Sequence, residues 1–385
     1  MRLVFATEDL NINGQAYSGM PLLLNDECMP MEPAQSYLWN LLTRPGRIGS
    51  KRTWTKYGRD LYDYFAFLSA NKIDWKMKPI NGVPAPIDRY IEWSKGTVKL
   101  SRRTINSRIR LVSRYYKWAR KNKLIETLPF EEVEISTGSA SDFLIHTKAK
   151  PTTVISNDLV LKENAPLISI LTKKQIEVCL ASIKNETHRL ILEIITRTGL
   201  RQEEARTLPE KYIFDPSRRS DIEPNQMIFV KLDPKEMRTK GSKERYIEIP
   251  YSLMEDLWWW SVRQRPKRES KNTSVIKSKT LFLTEDGIMY GDSTFTSIFN
   301  RLARKVGFPV RPHMGRHTYA VYRLISLKKS KTFEGDPLLY VMDRLGHSSA
   351  VTTAIYLKYI NMLSGQLISQ HEDELDIIFS KETSN

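Results

Sequence analysis

Six residues in the second half of the chain have the types and order that metal-free cleavage of a phosphodiester requires: Arg201, Lys240, His313, Arg316, His347 and Tyr356. An attacked phosphate gathers charge on its nonbridging oxygens, and rigid bidentate guanidinium groups match those oxygens. A phenol of ordinary pKa, about 10, is a poor nucleophile until neighbouring cations favour its phenolate. The leaving sugar oxygen needs a proton, which a lysine or a histidine can donate. Capture of the phosphate on tyrosine conserves the energy of the phosphodiester, so a strand can be rejoined without ATP. No carboxylate cluster of two-metal character accompanies the six. The pattern therefore points to a site built from side-chain cations, with no metal and no other cofactor.

The six residues lie in four segments. In TRTGLRQEEARTL, Gly199 allows a tight start, Arg201 opens a helix and Glu204 sits one turn later on the same face, placed to orient the guanidinium. In RTKGSKER, a hairpin tip, Lys240 stands beside Gly241 and can swing onto an anion; Lys243 is its competitor. In RPHMGRHTYA, Pro312 suits a first helical position, so His313 and Arg316 are one turn apart at a helix N-terminus that already favours an anion. In LGHSSAVTTAIYLKY, Gly346 ends one helix, Ser348 or Ser349 caps the next, and His347 precedes Tyr356 by nine residues. Each segment alone has an ordinary structural explanation: a surface ion pair, a basic hairpin tip, a helix start, a core aromatic.

The elements that must position these segments can be read from periodicity. The mixed second half has helical patterns at about 172–184 and 187–208, with Thr172 and Gln175 as a capping box. Three strand-like runs follow, KYIF, QMIFVKL and RYIEIP, the last two forming the hairpin that carries Lys240. Helical patterns resume in SLMEDLWWWSVRQR, TFTSIFNRLARKVG, HMGRHTYAVYRLI, PLLYVMDRLG and AVTTAIYLKYI. Trp258, Trp259 and Trp260 must point in different directions on a helix, which suits packing better than a base-stacking platform. Upstream, SYLWNLLTR, a run beginning with Ser50 as N-cap, and 101–123 are helical. Residues 131–168 read as a linker, and 1–30 as an extension with one or two strands.

Charge supplies the partner. Lys and Arg total 60 against 44 acids in 385 residues, a net charge of +16, an excess that favours a polyanion. The 101–123 helix carries Arg102, Arg103, Arg108, Arg110, Arg114, Lys117, Arg120, Lys121 and Lys123 and no acid. A solvated helix face usually interleaves acids, so this helix is expected on the DNA backbone, together with Lys51, Arg52 and Lys243. No run of 18 apolar residues predicts a membrane span. The first residues do not read as a secretory signal, and Cys28 and Cys179, far apart, suit a reducing compartment and no zinc site.

Taken together, TGLRxxE, the hairpin lysine of TKGSKER, HxxRH and LGHSSxxTTxxY resemble the tyrosine recombinases, the phage integrase family. The resemblance covers 169–360 and implies a two-domain protein. One domain, 31–130, is an all-α, SAM-like core-binding domain; the other is a mixed α+β, mainly helical catalytic domain with a small antiparallel sheet. It implies that Arg201 and Arg316 clamp the scissile phosphate, Lys240 protonates the 5′ oxygen and His313 serves in acid/base work. His347 would hydrogen-bond the phosphate, Glu204 would orient the site and Tyr356 would form a 3′-phosphotyrosine. Tyr359 is the alternative nucleophile, but the family's interval after the LGH histidine lands on Tyr356. His317, beside HxxR, is expected to be structural. The implied activity is site-specific recombination of double-stranded DNA, by the integrase or transposase of a mobile element, through a Holliday junction. Its partners would be the DNA sites, a homotetramer assembled on DNA from free monomers, and accessory directionality factors, in a prokaryotic cytoplasm. Residues 361–385, with an acidic HEDELD between apolar patches, are expected to exchange between protomers. The rival readings are a type IB topoisomerase-like or telomere-resolving enzyme and a catalytically silent architectural protein.

Overall fold

The computed structural model describes residues 1–12, 14–44, 50–79, 83–137, 152–163, 168–224, 226–347, 353, 355–357 and 359–360. The expected exchange tail, 361–385, and the proposed caps Ser348 and Ser349 lie outside the described residues. The chain divides into two compact units, Met1–Ala165 and Pro166–Asn385. Among the described residues the elements are mainly helices, with four two-stranded antiparallel sheets, and no helix is long and apolar enough to cross a membrane.

The first unit begins with strands β1 (Arg2–Phe5), β2 (Asn11–Ile12), β3 (Gln15–Ala16) and β4 (Pro21–Leu24). β1 pairs β4 and β2 pairs β3. Then come helices α1 (Ala34–Leu42), α2 (Lys51–Ala70), α3 (Pro86–Gly96) and α4 (Arg102–Lys121). Residues 1–30 are therefore part of this unit rather than an extension. The PLLL run of β4 alternates buried and half-buried, and Met20 and Leu23 enter the same core as Tyr64, Phe65, Tyr115 and Tyr116. Gln35 of α1 locks the junction, accepting from the Leu23 backbone N–H at 2.8 Å. Helix α3, short and opened by Pro86, was not among the expected elements. Strands β5 (Glu132–Thr137) and β6 (Thr152–Asn157) pair antiparallel, Glu132 opposite Asn157, in a stretch read as a linker. The β-branched residues of EVEIST and TTVIS favour strands, but runs this short carry little periodicity until their partner is known.

The second unit holds α5 (Lys173–Ser182), α6 (Glu186–Thr198) and α7 (Gln202–Thr207), then hairpin strands β7 (Met227–Leu232) and β8 (Arg245–Pro250). There follow α8 (Tyr251–Arg263), α9 (Arg265–Glu269), α10 (Asp292–Val306), α11 (Pro312–Lys329) and α12 (Pro337–Leu345). Described residues between 353 and 360 are helical. The capping box of Thr172 and Gln175 is present. KYIF is not a strand: Glu210–Tyr212 form a 3-10 turn, closed by Ile213 N–H to Glu210 O at 2.9 Å. Its backbone instead closes the turn locally, with Tyr212 N–H to Pro209 O at 3.3 Å as well. The three tryptophans diverge as expected. Trp260 is buried, Trp258 packs on the core, and Trp259 is exposed beneath Arg263, 3.8 Å from its ring centroid. Ile191, Ile194 and Ile195 of α6 are fully buried, each stabilising the fold by about 1.5–3 kcal/mol. That packing sets the floor on which the site is built.

Candidate active site

Gly199, the C-cap of α6, is left-handed at φ 69°. Only a glycine takes this conformation without strain, and it reverses the chain so that Arg201 becomes the N-cap of α7. The Arg201 backbone N–H donates to Glu204 Oε2 at 2.7 Å and its Nη1 to Glu204 Oε1 at 2.9 Å. Glu204 is fully buried and receives a second guanidinium, Arg245 of β8, through two bonds of 2.8 Å each. Burial alone would raise the Glu204 carboxyl, but Arg245 and then Arg201 outweigh it and hold it below the usual carboxylate range.

Arg245 is not among the site residues expected from the sequence. Its signal was there: in RYIEIP, Arg245 shares the buried face with Ile247 and Ile249, and a cation on an apolar strand face must have a partner. Glu248, at the next buried step, takes Arg323 at 2.9 Å and the Tyr340 hydroxyl, and so ties α11 and α12 to the hairpin.

That tie fixes the end of α12. Gly346 is its left-handed C-cap at φ 60°, and a side chain there would stand 2.7 Å from Arg245 Cδ. The last carbonyls of α12 carry the negative end of the helix dipole, and the arginines gather on them. Arg201 Nη2 is 3.0 Å from the Leu345 oxygen and 3.2 Å from that of Gly346. Arg316 Nη2 bonds the same Leu345 oxygen, and its Nη1 donates to the Gly199 carbonyl at 2.6 Å. Two guanidinium groups from different helices thus reach one oxygen. Arg316 is 1 % exposed, and burial, with Arg201 and Arg245 nearby, lowers its pKa to about 9.

His347 Nε2 lies 3.2 Å from Arg316 Nη2 and its Nδ1 2.9 Å from Thr353 Oγ1. A guanidinium only donates, so Nε2 accepts and Nδ1 carries the hydrogen. Burial, then Arg316 and Arg201, press the His347 pKa down to about 3, which keeps the ring neutral. Tyr356 is 1 % exposed, its ring nearly parallel to that of His347 with centroids 6.4 Å apart. The cations expected to favour its phenolate are present, but burial outweighs Arg316 and Arg201 and the phenol is raised. Tyr359 packs against the same apolar cluster of α11 and α12 to which Tyr356 belongs. His317 is not the bystander expected: its Nδ1 is 3.0 Å from the Tyr356 hydroxyl. His313, one turn earlier and exposed, has its ring centroid 4.2 Å from that of His317.

Lys240 stands in a 3-10 turn at the tip of the β7–β8 hairpin. A cavity of about 140 Å³ is lined by Lys240, Lys243, Arg201, Arg245 and His347, so both hairpin lysines face it. The structure brings Arg201, Glu204, Lys240, Arg316, His347 and Tyr356 into one neighbourhood, with Arg245 and His317 added. It can hold an oxyanion, present a phenol and supply a proton.

The basic helix α4 of the first unit needs a correction. Four of its charges, Arg108, Arg110, Lys117 and Arg120, face acids on other elements. Arg108 is largely buried, 2.5 Å from Asp63, with Asp60 at 3.9 Å and the Tyr90 hydroxyl at 3.1 Å. It is a structural cation, not a free phosphate contact. Arg110 faces Glu163 at 3.7 Å and Lys117 faces Glu132 at 2.6 Å. Arg102 donates to the Lys162 carbonyl at 3.0 Å, and Arg114 lies over the Tyr57 ring at 5.0 Å. Arg103, Lys51 and Arg52 are exposed.

Residues 169–360 match the phage integrase family. Tyrosine recombinase XerC of Bacillus licheniformis is 26% identical over 327 residues, 84% of this chain and 91% of its own length. Tyrosine recombinase XerH of Campylobacter jejuni is 30% identical over 190 residues, 47% of this chain and 44% of its own. In fold, the Tn1549 transposon integrase in complex with a circular intermediate DNA superposes with a TM-score of 0.56 at 19% identity, over 84% of this chain and 94% of that one. XerH bound to a palindromic difH substrate gives 0.54 at 18% identity, over 88% and 82%. The family match covers the segments that bring Arg201, Arg316 and Tyr356 together, and the chain belongs to the tyrosine recombinase (phage integrase) family, as a tyrosine site-specific recombinase.

Proposed function

We propose that this recombinase cleaves double-stranded DNA at recombination sites of a mobile element, holds each cut strand as a 3′-phosphotyrosine on Tyr356, and exchanges strands through a Holliday junction in a homotetramer assembled on DNA. The observation that carries this reading is the meeting of Arg201 and Arg316 on one carbonyl oxygen beside Tyr356 and His347. An oxygen of the scissile phosphate takes the place of that carbonyl oxygen, and both guanidinium groups neutralise the charge that builds there. Glu204 holds Arg201 and Arg245 in place. His347, through the Nε2 that accepts from Arg316, holds that guanidinium towards the phosphate, Lys240 protonates the 5′ oxygen as it leaves, and His313, exposed at the helix start, assists proton traffic. The XerC and XerH relatives are bacterial, which supports a prokaryotic setting.

A suicide DNA substrate, nicked so that the cleaved end diffuses away, tests the reading: the protein becomes covalently attached to the 3′ end. The same assay isolates the lysine. Lys240→Ala slows attachment on ordinary DNA by roughly 10²–10⁴-fold, the usual contribution of a general acid. A 5′-bridging sulfur restores the rate, because a thiolate leaves without a proton. Equal defects on both substrates remove Lys240 from that role.

The first unit binds DNA phosphates through Lys51, Arg52, Arg102, Arg103, Arg110, Arg114 and Lys117, and Lys243 adds one from the hairpin. Replacing Arg103, Arg110 and Arg114 by Gln flattens the plot of log affinity against log salt by about 0.9 for each phosphate no longer neutralised. Arg108→Gln leaves that slope unchanged and lowers thermal stability instead, since it removes the cation that faces Asp63 and Asp60. A common slope for both variants overturns this division of α4.

A further inference from the structure

We propose that His317 takes the proton of the Tyr356 hydroxyl during strand cleavage and returns it during religation. The inference rests on Tyr356 being the nucleophile. Its own support is geometric. His317 Nδ1 is 3.0 Å from the hydroxyl oxygen, and the two rings lie with centroids 5.6 Å apart. A reacting phenol needs such a partner here, because burial holds its proton on more tightly than in water.

The other groups near the hydroxyl are spoken for. His347 accepts from Arg316 at Nε2 and meets Thr353 through Nδ1, so neither nitrogen is open to the phenol. Arg201 and Arg316 are donors only. His313 is exposed, one turn before His317 on the same helix face. The charged and titratable groups facing His317 are His313 and Arg316 on its own helix, and Tyr356 and His347 from the segment packed against it. Burial, then His313 and Arg316, lower its pKa to about 4. The imidazole is therefore neutral at pH 7, with a lone pair to offer.

The step balances. The bond from Tyr356 Oη to phosphorus forms as the bond from phosphorus to O5′ breaks. The phenol proton passes to His317 Nδ1, and O5′ takes a proton from Lys240. Religation reverses both transfers: the 5′ hydroxyl attacks phosphorus, its proton returns to Lys240, and Tyr356 leaves with the proton that His317 held. An imidazolium beside Arg316 is costly in the free protein, but the dianionic phosphorane character of the transition state offsets it. The transfer is thus favoured only while phosphate is bound.

His317→Asn separates proton transfer from simple positioning. The Asn Oδ1 sits where Nδ1 does and still accepts from the phenol, but an amide cannot take the proton. Rates are read on the 5′-bridging-sulfur suicide substrate, where no general acid is needed, alongside DNA affinity and melting temperature. We expect H317N to bind DNA normally and to cleave about 100-fold more slowly at pH 7. Its rate should climb with pH towards that of the wild type, and replacing Tyr356 by the more acidic 3,5-difluorotyrosine should speed H317N more than the wild type. Cleavage by H317N at the wild-type rate, or a slow rate indifferent to both pH and fluorination, overturns the proposal. If H317N does not fold, the ¹⁵N shifts of the wild-type protein decide: an unprotonated Nδ1 supports the proposal, and a protonated Nδ1 excludes it. Failure of the underlying reading looks different, since a Tyr356→Phe protein would then still form the adduct.

Discussion

Tyr356→Phe abolishes covalent attachment to a suicide substrate and leaves DNA binding at wild-type affinity. The substitution removes one oxygen from a ring that is 1 % exposed and close to parallel with His347, so the packing volume stays and the nucleophile goes. The hydroxyl's described hydrogen bond is the one to His317, and its loss costs about 0.5–1.5 kcal/mol, too little to unfold the unit. Tyr359→Phe, in contrast, leaves attachment intact: both rings pack in the apolar cluster of α11 and α12, but the contacts with His317 and His347 belong to Tyr356. The check is a denaturing gel of the protein–DNA adduct beside an affinity measurement. An adduct in Y356F and none in Y359F would reverse the assignment.

Glu204→Ala is expected to be the most damaging single change to stability in the second unit, and to cost activity with it. The carboxylate is fully buried and receives Arg245 twice and Arg201 through side chain and backbone. Its removal leaves two guanidinium groups crowded against Arg316 with no counter-charge. Removing one partner of a buried pair costs roughly 3–5 kcal/mol, a large part of a domain's net stability of about 5–15 kcal/mol. Denaturant titration measures the loss. The same carboxylate gives a pH signature. Its folded pKa lies below the unfolded one, so its contribution is complete above the unfolded value, about 4.3, and drains away as pH falls through the folded value. Wild-type stability should fall across that acid window, and E204A should fall less. Parallel pH curves for the two proteins would show that Glu204 titrates no differently in the folded state.

Much of this was legible before any coordinates. The helices α4, α5, α10, α11 and α12 follow from apolar spacing, with a named capping box for α5, Pro312 opening α11 and Gly346 closing α12, and the β7–β8 hairpin from period-two runs around a basic, glycine-containing tip. Less was legible where the deciding information is a partner rather than a pattern. The β5–β6 pair was read as linker and KYIF as a strand, because a six-residue run becomes a strand only when another edge accepts its hydrogen bonds. The first thirty residues looked like an appendage because what buries them, α2 and its aromatic core, lies well downstream.

The sequence by itself determined which chemical groups the protein owns and their order: two arginines, a hairpin lysine, the HxxRH helix start, and a tyrosine nine residues after the LGH histidine. Short-range geometry also made Arg201 and Glu204 neighbours, since residues three apart share a helix face. Tertiary structure alone decided the rest. It set Arg245 against Glu204 across 41 positions and His317 against Tyr356 across 39. It supplied acids to α4 from Asp63, Glu132 and Glu163, so that a helix without one acid of its own is partly neutralised. The physical reason is common to all of these. Hydrophobic periodicity reports which face of an element is buried, but a charge or a proton acceptor acts over a few ångströms. What lies within that distance is set by how the elements pack.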